Sequence, residues 1–367
     1  MADIEVAHRA SDLVKQLSRT TRFAGSSEEA EARVLCRREL EQSGFVCTES
    51  EFEYSQAPGK WGVPLASAVQ AATILIVARI ALHRGPLVAL IVGALLYVVL
   101  LFVAADVKRR WILALPFQRA RATNLEASRG NPTIWLMAHL DSKSQTVPML
   151  IRIASTIALS VVIVATTIVL LVSLRDTLDL RLLWMPLQIA AVIAALPSVL
   201  CLVRNESPGA VDNASGVAAV LLAAESTASH GDLGVVITSG EELGLAGARA
   251  WGARAASGIV VINCDTVDDA GGWRLMYAGA RSRRISAAAS ATSASLRIKI
   301  LISRFIPGIL ADSMALSDRG IEAVTLSRGT LRTLARIHTR RDNSNAFTSE
   351  GVERASALLA ALTTELS

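Results

Sequence analysis

The sequence is poor in charged residues. Asp, Glu, Lys and Arg make up 19% of its 367 residues, whereas apolar residues make up 52%. An ordinary soluble domain has about a quarter charged residues. This composition therefore argues against a wholly soluble chain and indicates that part of it lies in lipid.

Several other features are missing. Residues 1–22 carry charges throughout and contain no apolar core, which excludes a secretory signal peptide. There is no internal repeat and no low-complexity linker. The cysteines show no paired metal-ligand spacing, which favours structural thiols in a reducing compartment over a disulfide framework. These cysteines are Cys36, Cys47, Cys201 and Cys264.

The apolar residues are concentrated in four runs, at residues 63–82, 86–105, 153–174 and 182–203. Each run is about 20 residues long, and at about 1.5 Å per residue such a helix spans the roughly 30 Å hydrocarbon layer. Buried core helices are the alternative, but the length of the runs and their near lack of charge favour membrane spans. Arg79, in the last turn of the first run, can extend its guanidinium to the lipid headgroups.

The four spans form two hairpins, whose turns lie at residues 83–85 and 175–181. The chain therefore enters and leaves the bilayer on one side. The short opposite loops hold Arg84, Arg175 and Arg181, and the near side holds more basic residues. These are Lys60, Lys108, Arg109, Arg110, Arg119, Lys143 and Arg204. By the positive-inside rule we expect an integral protein of a bacterial-type inner or plasma membrane, with the catalytic domain in the cytoplasm.

The net charge of +5 does not indicate nucleic-acid binding. Many basic residues flank the spans, and no aromatic side chains alternate with them. A membrane surface explains such a distribution better. We therefore expect a lipid bilayer, and no nucleic acid, as a partner.

The remaining chain, about 270 residues, is enough for one large α/β domain. Short apolar runs predict buried strands, and amphipathic or apolar stretches between them predict helices. The predicted strands are 134–138, 233–238, 259–263 and 323–326, and the predicted helices are 27–44, 215–228, 245–257, 312–319 and 349–366. This alternation predicts a largely parallel sheet that is covered on both faces.

The predicted organisation places membrane segments inside the domain. The domain segments are 1–61, 107–146 with the first metal ligand, and 205–367 with the other ligands and the general base. The hairpins are 62–106 and 147–204. We therefore expect the hairpins to be loops of the catalytic domain and to hold its active site near the bilayer surface.

Polar side chains follow three of the predicted strands. His139 and Asp141 follow the first strand, Glu241 and Glu242 the second, and Asp265 the third. Ligands of such sheets bind outside the carboxyl ends of the strands. The sequence therefore predicts a cluster of metal-type ligands at one edge of the sheet.

Each of these motifs also has a structural interpretation. Asp141 can accept the second N–H of a metal-bound His139, but His-x-Asp is also an ordinary loop pair. Asp212, in Asp-Asn-Ala-Ser-Gly, can bridge two cations or act as a helix N-cap. Glu241 and Glu242 repel each other, so they form either an exposed acidic turn or a metal ligand beside a general base.

Further candidates lie nearer the C-terminus. His338 is one of five histidines and, unlike His8, His83 and His230, it lies in a motif, Ile-His-Thr-Arg-Arg-Asp. Asp268 and Asp269 compete with Asp265 as ligands, but we expect them to be solvated because they lie further into the loop. Asp342 is expected to order the loop of His338. Two histidines and three carboxylates suit two Zn²⁺ ions that share one carboxylate, and they leave Glu241 as the base.

Taken in order, these motifs resemble those of metallopeptidase family 28. They are His-x-Asp, Asp-Asn-x-Ser-Gly, Glu-Glu, Asn-x-Asp, Asp312-Ser313, Gly320-Ile321 and His-Thr-x-x-Asp, and the resemblance begins near Arg22-Phe23-Ala24-Gly25. The resemblance implies a three-layer α/β/α sandwich with a mixed, largely parallel central sheet, to which the four transmembrane helices are added. It also implies that His139 and Asp265 bind one zinc, that Glu242 and His338 bind the other, and that Asp212 bridges them.

The activity implied by the resemblance is that of a membrane-embedded zinc aminopeptidase. A water bridging the two metals, activated by Glu241, would hydrolyse the first bond of a peptide with a free N-terminus. Three alternatives remain: a glutaminyl-cyclase-like acyltransferase with one zinc, an amidase for a small molecule, and a catalytically inert receptor or scaffold. The family's usual Ser-Asp-His is replaced here by Ala311-Asp312-Ser313.

Overall fold

The computed structural model describes residues 2–107, 112–175, 180–227, 231–306, 308–346 and 348–367. Lys108, Arg109, Arg110 and His230, which entered the predictions above, lie outside the described residues. The chain divides into two compact units. The first comprises Met1–Gln56, Leu113–Ser144 and Arg204–Ser367, and the second comprises Ala57–Ile112 and Gln145–Val203.

The strands form one large sheet and one short pair. They are β1 (Val46–Ser55), β2 (Arg119–Arg129), β3 (Ile134–His139), β4 (Ser144–Gln145), β5 (Val203–Arg204), β6 (Leu233–Thr238), β7 (Val260–Val267), β8 (Gly272–Tyr277), β9 (Ile300–Arg304) and β10 (Glu322–Gly329). The eight-stranded sheet has the order β1-β2-β6-β3-β7-β10-β8-β9. Its four central strands, β6, β3, β7 and β10, are parallel. Antiparallel pairing at β2 and β8 makes the sheet mixed, as expected.

Helices make up the rest of the regular structure. They are α1 (Ala2–Leu17), α2 (Ser27–Gln42), α3 (Ala57–Arg84), α4 (Pro86–Asp106), α5 (Ile112–Ala114), α6 (Met149–Ser173), α7 (Trp184–Val199), α8 (Ser215–Ser226), α9 (Ala246–Gly252), α10 (Arg283–Leu296), α11 (Asp312–Ser317), α12 (Leu331–Arg336) and α13 (Glu350–Leu366). Short 3-10 turns lie at Arg181–Leu183 and Ser344–Ala346.

Alternate residues of the central strands pack on opposite faces of the sheet. In β6, Val235 and Ile237 belong to a large core that includes residues of α8 and α13. Val236, between them, belongs to a second core with Trp251 of α9 and Leu316 of α11. Because successive side chains of a strand point to opposite faces, helices cover the sheet on both sides. The first unit is therefore an α/β/α sandwich.

The buried strands were predicted well and the outer strands were missed. The prediction of β6 is confirmed at both ends, β3 and β10 extend the predicted runs, and β7 is shifted toward the C-terminus of its predicted run. The strands β1, β2, β8 and β9 were not predicted. In β1 most residues are at least partly exposed, and charged and apolar side chains alternate, so no continuous apolar run marks it.

The second unit contains four helices that are long and apolar enough to cross a membrane, at Ala57–Arg84, Pro86–Asp106, Met149–Ser173 and Arg181–Val199. Many large apolar side chains point outward from them, and Phe102 of α4 is 73% exposed. Small residues lie where the helices meet. The Ser155 hydroxyl of α6 donates to the carbonyl of Ala194 (2.6 Å) and lies 2.7 Å from the hydroxyl of Ser198, both in α7.

Candidate metal centre

Three adjacent parallel strands bring the predicted ligands to one edge of the sheet. His139 is the last residue of β3, Glu241 and Glu242 lie just beyond β6, and Asp265 lies near the end of β7. β3 lies between β6 and β7, and all three run in the same direction. Their carboxyl ends, and therefore these side chains, meet at one place.

Asp212 reaches this place from a distorted turn before α8. Asp212 and Asn213 have non-helical dihedral angles within Ala210–Ala214, and the peptide bond between them is cis. The Asn213 side chain accepts the N–H of Gly216 (3.1 Å) and donates to the carbonyl of Cys264 in β7 (3.0 Å). Asn213, rather than Asp212, therefore satisfies an N–H at the start of the helix, and the carboxylate of Asp212 faces the histidines.

Asp212 joins two groups of ligand atoms. Its Oδ1 lies 3.3 Å from Nε2 of His139, which is itself 3.6 Å from Oδ1 of Asp265. Its Oδ2 lies 3.0 Å from Nε2 of His338, which is 3.2 Å from Oε1 of Glu242. Within each group the ligand atoms lie within 4.8 Å of one another, and all five residues are buried. Each oxygen of a single carboxylate thus faces one group.

Asp141 was expected to orient His139 through its carboxylate, but its backbone carbonyl is closer to the imidazole. Nδ1 of His139 lies 3.0 Å from the backbone carbonyl oxygen of Asp141 and 3.7 Å from its carboxylate. The two carboxylate oxygens instead accept the backbone N–H groups of Glu241 and Glu242, each at 3.1 Å. The backbone of Asp141 therefore orients the imidazole, and its side chain fixes the loop that carries the two glutamates.

Asp342 has a similar role at the turn of Asp212. Its Oδ1 accepts the N–H of Val211 (2.8 Å) and its Oδ2 that of Asp212 (3.1 Å). Burial raises the pKa of Asp342 to about 7. The side chain that was expected to order the loop of His338 therefore holds the backbone of Asp212, a neighbouring candidate ligand, in place.

Asp268 is not solvated, so the prediction is wrong for this residue, whereas Asp269 is partly exposed. The carboxylate of Asp268 is buried, accepts the hydroxyl of Thr333 (2.5 Å), and forms an ion pair with Arg336 (3.0 Å). Both partners belong to α12, which ends just before His338. Asp269 accepts the N–H of Gly351 at the start of α13 (2.8 Å). The two aspartates fix helices rather than serve as ligands.

Arg22 was not identified as a site residue from the sequence. Its guanidinium is fully buried and donates to the carbonyls of Leu140 (2.8 Å) and Gly209 (3.0 Å). It also donates to the carbonyls of Leu17 and Pro208. Arg22 therefore ties the loop after β3 to the turn that carries Asp212. In sequence, only the family resemblance that begins near Arg22 sets it apart from the neighbouring arginines.

Burial and mutual repulsion shape the acidity of the site. Burial raises the pKa of the Glu241 carboxyl well above its usual range, and the carboxylates of Glu242 and Asp265 add to the rise although His139 opposes it. Burial opposes ionisation of Glu242 too, yet His338 and Lys143 beside it hold its pKa at about 2. Glu241 thus has the raised basicity that suits proton transfer, while Glu242 stays charged.

The donor set fits divalent metal ions. Oε1 of Glu242 is buried and has no hydrogen-bond partner among the described residues. A buried carboxylate oxygen without a hydrogen bond is costly inside a protein unless a cation compensates it. Burial lowers the pKa of His139 and His338, but the neighbouring carboxylates raise it more, so the pKa of each imidazole is raised. A bound cation would neutralise these carboxylates in place of a proton on the imidazoles. Imidazole nitrogen with carboxylate oxygen is a ligand set that zinc accepts.

Comparison with known proteins places this site in a family. The sequence model of peptidase family M28 matches residues 122–363, more than half of the chain, and the chain belongs to this family. The match includes every residue of the two ligand groups. No curated protein sequence matches the chain.

Solved structures show the same fold at low sequence identity. An aminopeptidase from Aneurinibacillus sp. strain AM-1 is similar with a TM-score of 0.58 and 14% identity, over 97% of this chain and 92% of the other. A zinc aminopeptidase from Bacillus subtilis has a TM-score of 0.58 and 13% identity, over 97% and 94%. A glutaminyl cyclase from Fimbriiglobus ruber has a TM-score of 0.52 and 14% identity, over 98% and 95%. The chain is thus a member of peptidase family M28 with the fold of these enzymes.

Proposed function

We propose that this chain is a membrane-embedded aminopeptidase that uses two zinc ions. The proposal rests on the position of the Asp212 carboxylate, because each of its two oxygens faces a different group of histidine and carboxylate ligands. A carboxylate in this position is suited to bridge two metal ions. The membership of a peptidase family and the aminopeptidase fold support the choice of reaction.

His139, Asp265 and Asp212 would hold one zinc, and His338, Glu242 and Asp212 the other. When bound, the two ions would polarise a peptide carbonyl and lower the pKa of a water molecule. His139, Asp265, His338 and Glu242 belong to different strands and loops, and the fold pre-organises them before any ligand arrives. Asp141 and Asp342 hold the backbone of the two loops in place.

Glu241 is the candidate general base. Its carboxylate would take the proton from the attacking water as the C–O bond forms. It would then deliver that proton to the nitrogen of the leaving amine as the C–N bond breaks. Positioned acid–base catalysis contributes about 10²- to 10⁴-fold. The raised pKa of Glu241 suits both halves of this transfer, because the group must first accept a proton and then release it.

The substitution Glu241→Gln tests this role. We expect kcat to fall by about 10²- to 10⁴-fold with the zinc content unchanged, because glutamine cannot accept the proton. The matched control is Glu31→Gln, an exposed glutamate on α2, which should retain full activity. Zinc content is measured by elemental analysis of each purified variant. Full activity of the Glu241→Gln enzyme would refute the assignment.

The reaction class is tested with a panel of amino-acid amides and peptides. We expect cleavage of substrates with a free N-terminus, no cleavage of the N-acetylated counterparts, and loss of activity when a chelator removes the metal. Cleavage of the blocked substrates would instead indicate a carboxypeptidase or an amidase for small molecules.

A glutaminyl-cyclase-like reaction is the second candidate, because the fold is also that of the Fimbriiglobus ruber enzyme. A single-zinc acyltransferase would not require both ligand groups, and the first group, with His139 and Asp265, argues against it. About one zinc per chain, together with cyclisation of an N-terminal glutamine, would favour this reaction over hydrolysis.

A further inference from the structure

Lys143 holds Glu242 at two points. Its ammonium lies 2.8 Å from Oε2 of the Glu242 carboxylate and donates to the backbone carbonyl of the same residue, also at 2.8 Å. The side chain of Lys143 is only 11% exposed and that of Glu242 only 4% exposed. A charge-assisted hydrogen bond that is shielded from water is among the stronger polar contacts in a protein. The orientation of the Glu242 carboxylate is therefore set by Lys143.

This contact makes the two oxygens of Glu242 unequal. Oε2 is occupied by the ammonium of Lys143. Oε1 faces Nε2 of His338 at 3.2 Å, is buried, and has no hydrogen-bond partner among the described residues. A cation at the second ligand group would therefore find one available oxygen on Glu242.

Among the described residues, no lysine or arginine forms an ion pair with the first ligand group. Within the part of the chain that the structure describes, the ion pairs of Asp265 and Asp212 are made with histidines, at distances of 3.0 to 3.6 Å. Lys143 is thus the feature that distinguishes the second group from the first.

We propose that Lys143 keeps Glu242 a monodentate ligand of the second metal and so preserves a coordination position for the substrate. Lys143 is a positioning residue, since it acts through Glu242. The inference rests on the proposed two-zinc function. Without the ammonium, Oε2 would turn toward the metal, and the metal would also lose a nearby positive charge. Both changes strengthen metal binding, and the first closes the position that the substrate needs.

The test compares Lys143→Met with Lys143→Arg in the full-length protein. Methionine has a similar length and no charge, whereas arginine keeps the charged donor. Zinc affinity is measured by competition with a chromophoric chelator, and activity on an amino-acid amide. For Lys143→Met we expect the more weakly held zinc to bind about 10-fold more tightly and kcat/KM to fall about 10-fold. The Lys143→Arg enzyme should stay within about 3-fold of the parent in both measurements.

Cobalt substitution provides a readout that is independent of activity. The visible absorption of Co²⁺ weakens when its coordination number rises, so the Lys143→Met protein should show weaker bands than the parent. The control is Lys299→Met, which removes an exposed lysine and should change nothing. A merely structural role for Lys143 would lower metal affinity and activity together.

Two outcomes would overturn the proposal: loss of zinc from the Lys143→Met protein, and unchanged zinc affinity with unchanged cobalt bands. The proposed peptidase function can be refuted independently of the role of Lys143. If the parent binds two metals and Lys143→Met tightens the second, but no variant cleaves any amide, the role of Lys143 stands and the aminopeptidase assignment does not.

Discussion

At the scale of single residues, the site is built by carboxylates that accept consecutive backbone N–H groups. Asp141 binds the N–H groups of Glu241 and Glu242, and Asp342 binds those of Val211 and Asp212. In both pairs at least one bound residue is a candidate ligand. Because both oxygens act as acceptors, an amide side chain cannot replace either aspartate without turning an N–H toward another N–H.

This geometry predicts the effect of Asp141→Asn. We expect the free energy of unfolding to fall by about 1.5 to 3 kcal/mol, the range for a hydrogen bond to a charged group. Thermal unfolding in detergent would show the loss as a lower midpoint temperature. Asp12→Asn, at an exposed position of α1, is the control and should leave the midpoint unchanged. An unaltered midpoint in Asp141→Asn would contradict the role of this side chain.

At the scale of elements, His338 depends on the placement of α12. This short helix is held to the loop after β7 by Asp268, through Thr333 and Arg336. His338 follows the helix with a positive φ of 60°, a conformation that costs free energy for a residue other than glycine. Its Nδ1 is buried and has no hydrogen-bond partner among the described residues. The position of the helix therefore determines where this imidazole lies.

We accordingly predict that Asp268→Asn weakens only the second metal position. After dialysis against a zinc buffer, the protein should retain close to one zinc per chain, because the first ligand group does not depend on α12. Asp269→Asn is a matched control at the next residue. Asp269 accepts the N–H groups of Gly351 and Thr348 on its two oxygens, and the single oxygen of an amide can accept only one of them. The substitution should therefore lower stability without changing the metal content. Equal loss of zinc in both variants would contradict the argument.

Among the apolar helices, the contact between α6 and α7 depends on Ser155, which is buried against Ser198. Ser155→Leu should lower the free energy of unfolding by about 1 to 3 kcal/mol, because a large side chain cannot fit where the two helices touch. Ser160→Leu places the same side chain at an exposed position of α6 and should have little effect. Thermal unfolding in detergent would compare the two variants, and equal midpoints would show that Ser155 does not set this contact.

At the scale of the whole molecule, we propose that the four apolar helices cross a membrane and that the catalytic unit lies on its cytoplasmic side. The full chain should then stay with the membrane fraction after an alkaline carbonate wash and be released by detergent. Release by carbonate alone would indicate that the apolar helices are a protein core instead.

The orientation can be tested with two single-cysteine substitutions, Arg84→Cys in the first hairpin turn and Glu31→Cys on α2. Cys47, which is partly exposed, is first replaced by serine. An impermeant maleimide added to intact spheroplasts should label Arg84→Cys, and should label Glu31→Cys only after lysis. The opposite pattern would place the catalytic unit outside the cytoplasm.

The sequence alone determined which segments are apolar and where polar residues follow them. Long apolar runs predicted the four apolar helices, and short ones predicted β3, β6, β7 and β10, because burial requires continuous apolar sequence. The edge strands were missed because one of their faces is exposed, so polar residues interrupt the apolar sequence. From strand ends the sequence also predicted that His139, Glu241, Glu242 and Asp265 would meet.

Only the tertiary structure decided how those side chains are held. Arg22, Asp268 and Lys143 act across large separations in the chain, on Gly209, α12 and Glu242 respectively. A polar contact between distant residues leaves no local pattern in sequence, because each partner alone looks like an ordinary surface residue. The division of Asp212 between two histidines likewise depends on directions that only the folded chain defines. Local patterns thus predicted which ligands meet, and long-range contacts set their geometry.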